Sequence, residues 1–279
     1  MSIAPITVRY PEFDFSTTPV VWGPNAEAVI GLDAGSPLIT PIEIFLLKVM
    51  RRAKAEMDPV ADAELLRDMD LFMKQEGQHN KVHAEFNRVI REWCPPVAPI
   101  EQALVAEYDE FLATKPLRWL VGYCECFEAL GGRTAVNWVD GWTPEQAGTF
   151  ECAVVEMFRW HLAEEYEHRT VMFRVYERLY GEPADESHKF RVELLEYGLE
   201  HIGGWIDQFR QAMLAAYRDG MSPEEIQASV EREERAEIAM RERVGSLLAT
   251  AWSPDYDPAE NPPPEHLDEV LAQYSTTRG

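Results

Sequence analysis

The sequence contains few cysteines and few glycines for its 279 residues, 4 and 16 respectively. Four cysteines without a Cys-x-x-Cys pair exclude a disulfide framework, a zinc ribbon and a thioredoxin-type redox motif. Basic residues are also scarce, since 26 lysines and arginines stand against 49 acidic residues, a formal charge of −23. This negative surplus repels phosphate backbones and anionic lipid headgroups, so we expect neither nucleic acid nor a membrane as a partner.

Long apolar segments and a targeting segment are missing as well. No uncharged apolar run approaches the roughly 18 residues that cross a bilayer. The first residues, MSIAPITVRYPEFDF, lack the basic region and apolar core of a secretory signal. We therefore expect a cytoplasmic protein in a reducing compartment.

Strand signals are nearly absent, whereas helical spacing of apolar residues runs from residue 41 to about 251. The sequence therefore predicts an all-α protein. Helices are expected over residues 41–57, 60–92, 99–114, 116–139, 144–180, 184–218 and 222–250. The ends of these helices are predicted to within about two to four residues.

Prolines are concentrated at both ends of the chain. Five of them fall within residues 1–37 and, with the aromatic side chains between them, predict an extended arm that lies on the helical body. Residues 252–279 contain five more prolines and predict a loosely docked, proline-rich tail. We expect one helical domain over residues 1–251, arm included, followed by this tail.

The histidines are distributed unevenly, and four of the seven fall in two short helical windows. Each window contains a Glu-x-x-His motif, formed by Glu76 with His79 and by Glu165 with His168. A lone histidine on a helix face is more often a packed core residue. Two copies of the motif in an all-α chain instead predict metal ligation.

Each window also contains a second histidine, His83 or His161. A helix turns 100° per residue, so His79 and His83 fall within a sector of about 60° beside Glu76. The same arithmetic places His161 in one sector with Glu165 and His168. Each of the two helices thus presents a carboxylate and two imidazoles to one side.

A four-helix bundle that binds two metal ions takes one further carboxylate from each of its other two helices. Glu43 lies in the apolar stretch 41–47, although a first-turn glutamate favoured by the helix dipole is the alternative. Glu125 and Glu128 both lie in apolar sequence within about 60° of each other, so periodicity does not choose between them. The order Glu, Glu-x-x-His, Glu, Glu-x-x-His is typical of di-iron and di-manganese carboxylate bundles.

These motifs give the sequence a resemblance to the ferritin-like proteins described as predicted metal-dependent hydrolases. The resemblance runs from Val8-Arg9-Tyr10 to about Tyr180 and is most specific over residues 72–87 and 160–169. It implies a ferritin-like four-helix bundle with additional helices. The metal ligands that it implies are Glu43, Glu76, His79, Glu165 and His168, with Glu125 favoured over Glu128. The sequence does not settle whether Glu165 or its neighbour Glu164 is the ligand.

The donor set favours redox metals over structural zinc. Glutamate and histidine without thiolate suit iron or manganese, and Asn80 stands where a His-Glu-x-x-His protease has its base. We therefore expect two iron ions, with manganese as the alternative metal, and O₂ as co-substrate. The expected activity is a non-heme di-iron oxygenase or oxidase, which would use an external electron donor to oxidise a small, mainly apolar molecule.

Two other functions stay open at this point. A dinuclear site that activates water would make the protein a metal-dependent hydrolase, and iron storage without catalysis is a third function. A homodimer is one candidate assembly. Gly131 and Gly132, which follow the third-helix carboxylates, leave room either for a substrate or for a close contact between helices.

His83 and His161, which lie outside the Glu-x-x-His pairs, are candidate catalytic residues. A largely helical crossover over the 23 residues from Cys94 to Pro116 covers about 30 Å at 1.5 Å per residue. The second and fourth bundle helices are then antiparallel, which brings both histidines to the same end of the metal site. We expect them to face each other as additional ligands or as donors to bridging carboxylates, unless each belongs to an unrelated polar network.

Overall fold

The computed structural model describes residues 5–140 and 152–277, and all regular structure in these two ranges is helical. The helices are α1 (Ala26–Asp33), α2 (Ser36–Ala55), α3 (Ala63–Trp93), α4 (Val97–Thr114), α5 (Leu117–Val139), α6 (Ala153–His168), α7 (Val171–Tyr180), α8 (Ala184–Tyr217), α9 (Pro223–Leu248) and α10 (Leu267–Leu271), with a 3-10 turn at Pro258–Glu260. The prediction of an all-α protein is confirmed.

The body of the protein is a bundle of four helices, α2, α3, α5 and α6. Helix α2 packs on α3, α5 packs on α6, and further contacts of α2 with α5 and of α3 with α6 join the two pairs. Helix α4 connects the pairs; its 18 residues span about 27 Å at 1.5 Å per residue. A long crossover between two helix pairs is the connection found in ferritin-like bundles.

The predicted helix over residues 144–180 is two helices in the structure. Helix α6 ends at His168 and α7 begins at Val171, although the sequence has no proline or glycine there. At this break the Arg169 side chain donates hydrogen bonds to the carbonyl oxygens of Tyr166, at 2.7 Å, and Pro258, at 2.8 Å. The first residues of the prediction, 144–151, lie outside the described residues.

The N-terminal arm ends earlier than predicted: in the described part of the chain, residues 5–25 contain no helix, and α1 begins at Ala26. Asn25 caps α1, and its side chain accepts a hydrogen bond from the backbone of Ala28. Pro37 occupies the first turn of α2, where a missing N–H breaks no helical hydrogen bond. The prediction of an extended arm over the whole of residues 1–37 was therefore wrong, since prolines in a first turn do not prevent a helix.

The C-terminal segment is packed against the body, in contrast to the loosely docked tail that its prolines predicted. Tyr256, Val270 and Leu271 are buried, and α10 packs on α6. The N-terminal arm meets this segment where the backbone N–H of Tyr10 donates to the carbonyl of Ser275 at 2.8 Å. Of these buried side chains, Tyr256 lies between two prolines, and Val270 and Leu271 follow the last proline.

One stretch in the described part of the chain, Ala26–Ala55, is long and apolar enough to cross a membrane by length and composition. In the fold, however, 67% of its apolar window is buried inside the protein. The stretch contains α1 and α2, and α2 is a helix of the bundle. Its apolar character is accounted for by packing in the core of a helical domain.

Candidate metal centre

Seven side chains from the four bundle helices converge in two adjoining groups, which together we call the metal centre. The histidine-rich group contains Glu43, His79 and His161, and the carboxylate-rich group contains Glu76, Glu128, Glu165 and His168. Within each group, one potential ligand atom per residue lies within 4.8 Å of all the others. All seven side chains are buried.

Two glutamates lie between the groups. Glu165 Oε1 is 3.0 Å from His161 Nε2, 3.7 Å from His79 Nδ1 and 3.5 Å from His168 Nε2. Glu76 Oε1 is 3.5 Å from His79 Nδ1 and 3.3 Å from His168 Nε2. Since each carboxylate contacts imidazoles of both groups, Glu76 and Glu165 could supply ligand atoms to an ion held by either group.

Many potential ligand atoms of the metal centre have no hydrogen-bond partner. These buried atoms are Glu43 Oε1 and Oε2, Glu76 Oε1, His79 Nδ1, Glu128 Oε2 and His168 Nε2. Leaving a polar group buried and unpaired costs about 1–3 kcal/mol, and more if it is charged. Cations would accept these lone pairs, and two divalent ions would balance the four carboxylates of the centre. The residues therefore fit a pair of divalent metal ions.

In the absence of metal ions, three side chains of the centre have raised pKa values and therefore bind protons more tightly than usual. Burial, followed by the negative charges of neighbouring glutamates, raises the pKa of Glu43 and of Glu128 well above the usual value. Burial opposes a charge on His79, but Glu76 and a hydrogen bond to Glu164 outweigh it and raise the pKa of His79 to about 9. Metal ions must displace these protons on binding.

The pKa of Glu165 is lowered, in contrast to the raised pKa values of Glu43 and Glu128. Burial alone would raise its pKa, but the positive charge of His168 holds the pKa of Glu165 well below the usual value. This carboxylate is therefore ionised in the metal-free protein. The position between the two groups thus keeps a negative charge even before an ion arrives.

Hydrogen bonds behind the metal centre orient two of its histidines. His79 Nε2 lies 3.0 Å from Glu164 Oε2, so its Nδ1 faces the centre. Gln75 donates from Nε2 to Thr7 O and Glu167 Oε2, which leaves its Oε1 as the acceptor for His168 Nδ1 at 2.9 Å. His168 therefore presents Nε2. Partners of this kind fix the ring orientation of metal-binding histidines.

Arg9 of the N-terminal arm completes this outer layer. Its guanidinium lies 3.1 Å from both Glu164 and Glu167 and also donates to the carbonyl of Leu271. The sequence prediction did not include Arg9 or Gln75 in the site, and it considered Glu164 only as the alternative to Glu165 as a metal ligand. The available signal was the acidic run 164–167 inside a helix with many apolar residues, where buried carboxylates require a cation.

The structure brings together five of the six predicted ligands and excludes the sixth. Glu125, which the resemblance favoured over Glu128, lies outside both groups; its Oε1 is 3.5 Å from the guanidinium of Arg191. Glu128 takes the expected place, with Oε2 at 3.4 Å from His168 Nε2. The placement of Glu125 was therefore wrong, because the 60° between the two positions turns Glu125 towards α8.

Burial raises the pKa of Glu125 to about 7 despite the charge of Arg191. Arg191 in turn donates a hydrogen bond to the carbonyl of Ala251 and lies over the ring of Tyr256. Glu125 thus belongs to a contact between the bundle and the C-terminal segment.

His83 and His161 face each other, as expected from the antiparallel arrangement. His83 Nε2 is 2.8 Å from His161 Nδ1, and the ring centroids are 4.9 Å apart. His161 belongs to the histidine-rich group. His83 is not part of either group; it lies behind His161 and contacts Ser36 on its other side. Their predicted catalytic role stays a prediction.

The space at Gly131 and Gly132 is filled by protein. A Cβ on Gly131 would collide with the Glu165 carboxylate and would lie 2.9 Å from its Cδ. A Cβ on Gly132 would lie 2.7 Å from the Cβ of Arg169. Both glycines therefore permit a close approach of α5 and α6, the alternative to a substrate space.

A groove of about 1240 Å³ opens elsewhere, between α1, α8 and α9. Its walls include Gly31, Gly203 and Trp252, and none of its lining residues belongs to the metal centre. The groove therefore does not reach the buried ligand atoms of the metal centre.

One protein family matches almost the whole chain, over residues 7–261, and is described as predicted metal-dependent hydrolases. The chain belongs to this family. The match extends beyond Tyr180, where the sequence resemblance ended, and includes all seven residues of the metal centre as well as Arg9. None of the curated proteins and none of the solved structures matches the chain. Membership of the predicted metal-dependent hydrolases agrees with a centre whose residues fit two metal ions.

Proposed function

We propose that this chain is a metal-dependent hydrolase in which two divalent ions, held by the metal centre, activate water towards a small-molecule substrate. The observation that carries the proposal is the convergence of four carboxylates and three imidazoles, many with unpaired buried ligand atoms. The description of the family favours hydrolysis over other metal chemistry. Two bound divalent ions lower the pKa of water and stabilise charge on the attacked group.

The side chains of the metal centre would hold these ions from different positions. Glu76 and Glu165 each lie close to imidazoles of both groups. Glu43 lies close only to imidazoles of the histidine-rich group, and Glu128 only to that of the carboxylate-rich group. His79 and His168 are oriented by Glu164 and Gln75, so each presents one nitrogen to the centre. Burial excludes bulk water, which strengthens the electrostatic interactions inside the site.

The test of this proposal uses protein stripped of metal and reloaded with Mn(II), Zn(II) or Fe(II) under argon. Ester, amide and phosphate-ester substrates are then assayed without O₂. We expect hydrolysis with at least one of these ions and about two ions per chain by elemental analysis. Glu165→Ala should lose both metal and activity, whereas Glu156→Ala, an exposed position on the same helix, should retain them.

A second candidate function is O₂-dependent oxidation of a small, mainly apolar molecule by an iron pair supplied with electrons from outside. The observation in its favour is the ligand set, which contains oxygen and nitrogen donors but no thiolate, as suits iron and manganese. Turnover that requires Fe(II), O₂ and a reductant, together with no hydrolysis under argon, would replace the first proposal by this one.

A further inference from the structure

A row of buried polar side chains leads away from the metal centre between α2, α3 and α6. His161 Nδ1 lies 2.8 Å from His83 Nε2, and His83 Nδ1 lies 2.8 Å from Ser36 Oγ. Ser36 Oγ lies 2.7 Å from Asn87 Oδ1. Ser36, His83 and Asn87 are fully buried. Since water does not reach this row, the proton on each atom is determined by the next side chain.

The contacts of Asn87 determine which atoms donate and which accept the hydrogen bonds along this row. Its Nδ2 group lies 3.1 Å from the backbone carbonyl of Ser36 and 3.0 Å from Thr40 Oγ1. A carbonyl oxygen accepts only, so the amide nitrogen must be on this side and Oδ1 must face Ser36 Oγ. The single hydroxyl proton of Ser36 is therefore donated to Asn87 Oδ1.

The direction of hydrogen-bond donation at Ser36 also determines which nitrogen carries the proton in both histidines. With its proton committed to Asn87, Ser36 Oγ accepts a hydrogen bond from the Nδ1–H of His83. The described contacts of His83 include no carboxylate, and a buried imidazolium without one is costly. Neutral His83 therefore has a lone pair on Nε2, which accepts a hydrogen bond from the Nδ1–H of His161.

The result is a lone pair on His161 Nε2 that faces the carboxylates. His161 Nε2 lies 3.0 Å from Glu165 Oε1 and 3.7 Å from Glu43 Oε1. These atoms all carry lone pairs in the tautomer that the row imposes. Such an arrangement is stable when a cation lies among them.

We propose that His161 binds metal through Nε2, and that Asn87, acting through Ser36 and His83, is a positioning residue that fixes this tautomer. The inference rests on the proposed metal centre and assigns a role to side chains outside it. Outer hydrogen bonds of this kind typically contribute about 10–100-fold to metal affinity.

The decisive variant is Asn87→Leu, with Thr40→Val as the matched control. Without the amide, the Ser36 hydroxyl is free to donate to His83, so the row reverses and a proton is placed on His161 Nε2. Thr40→Val removes one hydrogen bond of Asn87, but the carbonyl of Ser36 still fixes the amide. The control therefore disturbs the same buried region without reversing the row.

Two measurements are made on each protein. The first is Co(II) affinity by competition with a chelator, for which we expect a loss of about 10–100-fold in Asn87→Leu and wild-type affinity in Thr40→Val. The second is ¹⁵N NMR of the histidine side chains in protein loaded with diamagnetic Zn(II). We expect the Nδ1–H tautomer at both His83 and His161 in the wild type and in Thr40→Val, and Nε2–H at His161 in Asn87→Leu.

The outcomes separate this inference from the proposed function. Wild-type protein that binds no Co(II) would overturn both. Wild-type protein that binds two ions, combined with wild-type affinity in Asn87→Leu, would overturn the inference alone. If Asn87→Leu does not fold, the NMR spectrum of the wild type still decides, because an Nε2–H tautomer at His161 contradicts the direction of the row.

Discussion

Gly131 of α5 lies directly against the carboxylate of Glu165, so a methyl group on Gly131 would occupy the space of this carboxylate. We expect Gly131→Ala to displace Glu165 from its place between the two groups and to lower the metal content per chain. Elemental analysis after equilibration with Mn(II) measures the effect. Gly77→Ala on α3 is the control, because a Cβ there meets no atom within 4 Å; full metal content in both variants would contradict the argument.

Glu125 and Glu128 offer a matched pair on one helix. We expect Glu128→Gln to lose metal, because Glu128 Oε2 is an unpaired atom of the carboxylate-rich group. We expect Glu125→Gln to keep its metal but to lower the free energy of unfolding by about 1–3 kcal/mol, since the hydrogen bond to buried Arg191 loses a charge. Elemental analysis and urea unfolding measure the two effects; the reverse pattern would restore Glu125 as the ligand.

Metal affinity should rise with pH. His79, with a pKa of about 9, is protonated at neutral pH in the metal-free protein, and Glu43 and Glu128 also have raised pKa values. Each proton that an ion displaces makes affinity rise about tenfold per pH unit below the pKa of that group. Titration calorimetry in buffers of different ionisation enthalpy counts the released protons. Binding without proton release at pH 7 would show that the metal-free centre does not hold them.

The stability of the metal-free protein should change in the opposite direction. The pKa of His79 is raised above its ordinary value of 6.5, so its stabilising contribution is complete below pH 6.5 and is lost as pH rises through 9. We expect a lower free energy of unfolding at pH 9 than at pH 6.5. Saturating Mn(II) should reduce this loss, because ions that bind only the folded state stabilise it. Equal pH dependence with and without Mn(II) would be inconsistent with this account.

Arg9→Met should destabilise the protein strongly. It leaves Glu164 and Glu167 buried without their cation, and breaking a buried ion pair in this way costs about 3–5 kcal/mol. Lys48→Met removes the exposed pair with Asp109 and should cost about 0–1 kcal/mol. Urea unfolding of both variants provides the comparison; similar losses would show that burial of the Arg9 pair has no energetic weight.

The sequence allowed the bundle and most of the metal centre to be predicted, because helical periodicity alone places residues three or four apart on one face. This explains the positions of Glu76, His79, Glu165 and His168. Periodicity did not distinguish Glu125 from Glu128, since the choice depends on how far α5 is rotated against α6 and α8. That rotation is set by packing, including the contact at Gly131.

The outer layer was harder to predict for a different reason. Arg9 and Glu164 are 155 residues apart, and Ser36 and Asn87 are 51 residues apart. No local pattern connects such positions. Only a count of the buried carboxylates in residues 164–167 indicates that a cation must come from another part of the chain.

Arg9 is fixed by the carbonyl of Leu271, 262 residues later in the chain. The last residue of the metal centre, His168, is translated about a hundred residues before that carbonyl. During synthesis, every residue of the metal centre therefore precedes the residue whose carbonyl fixes Arg9. Until Leu271 has been added, Arg9 lacks this acceptor, so the contact that holds Arg9 against Glu164 and Glu167 is completed only after all the ligand residues are in the chain.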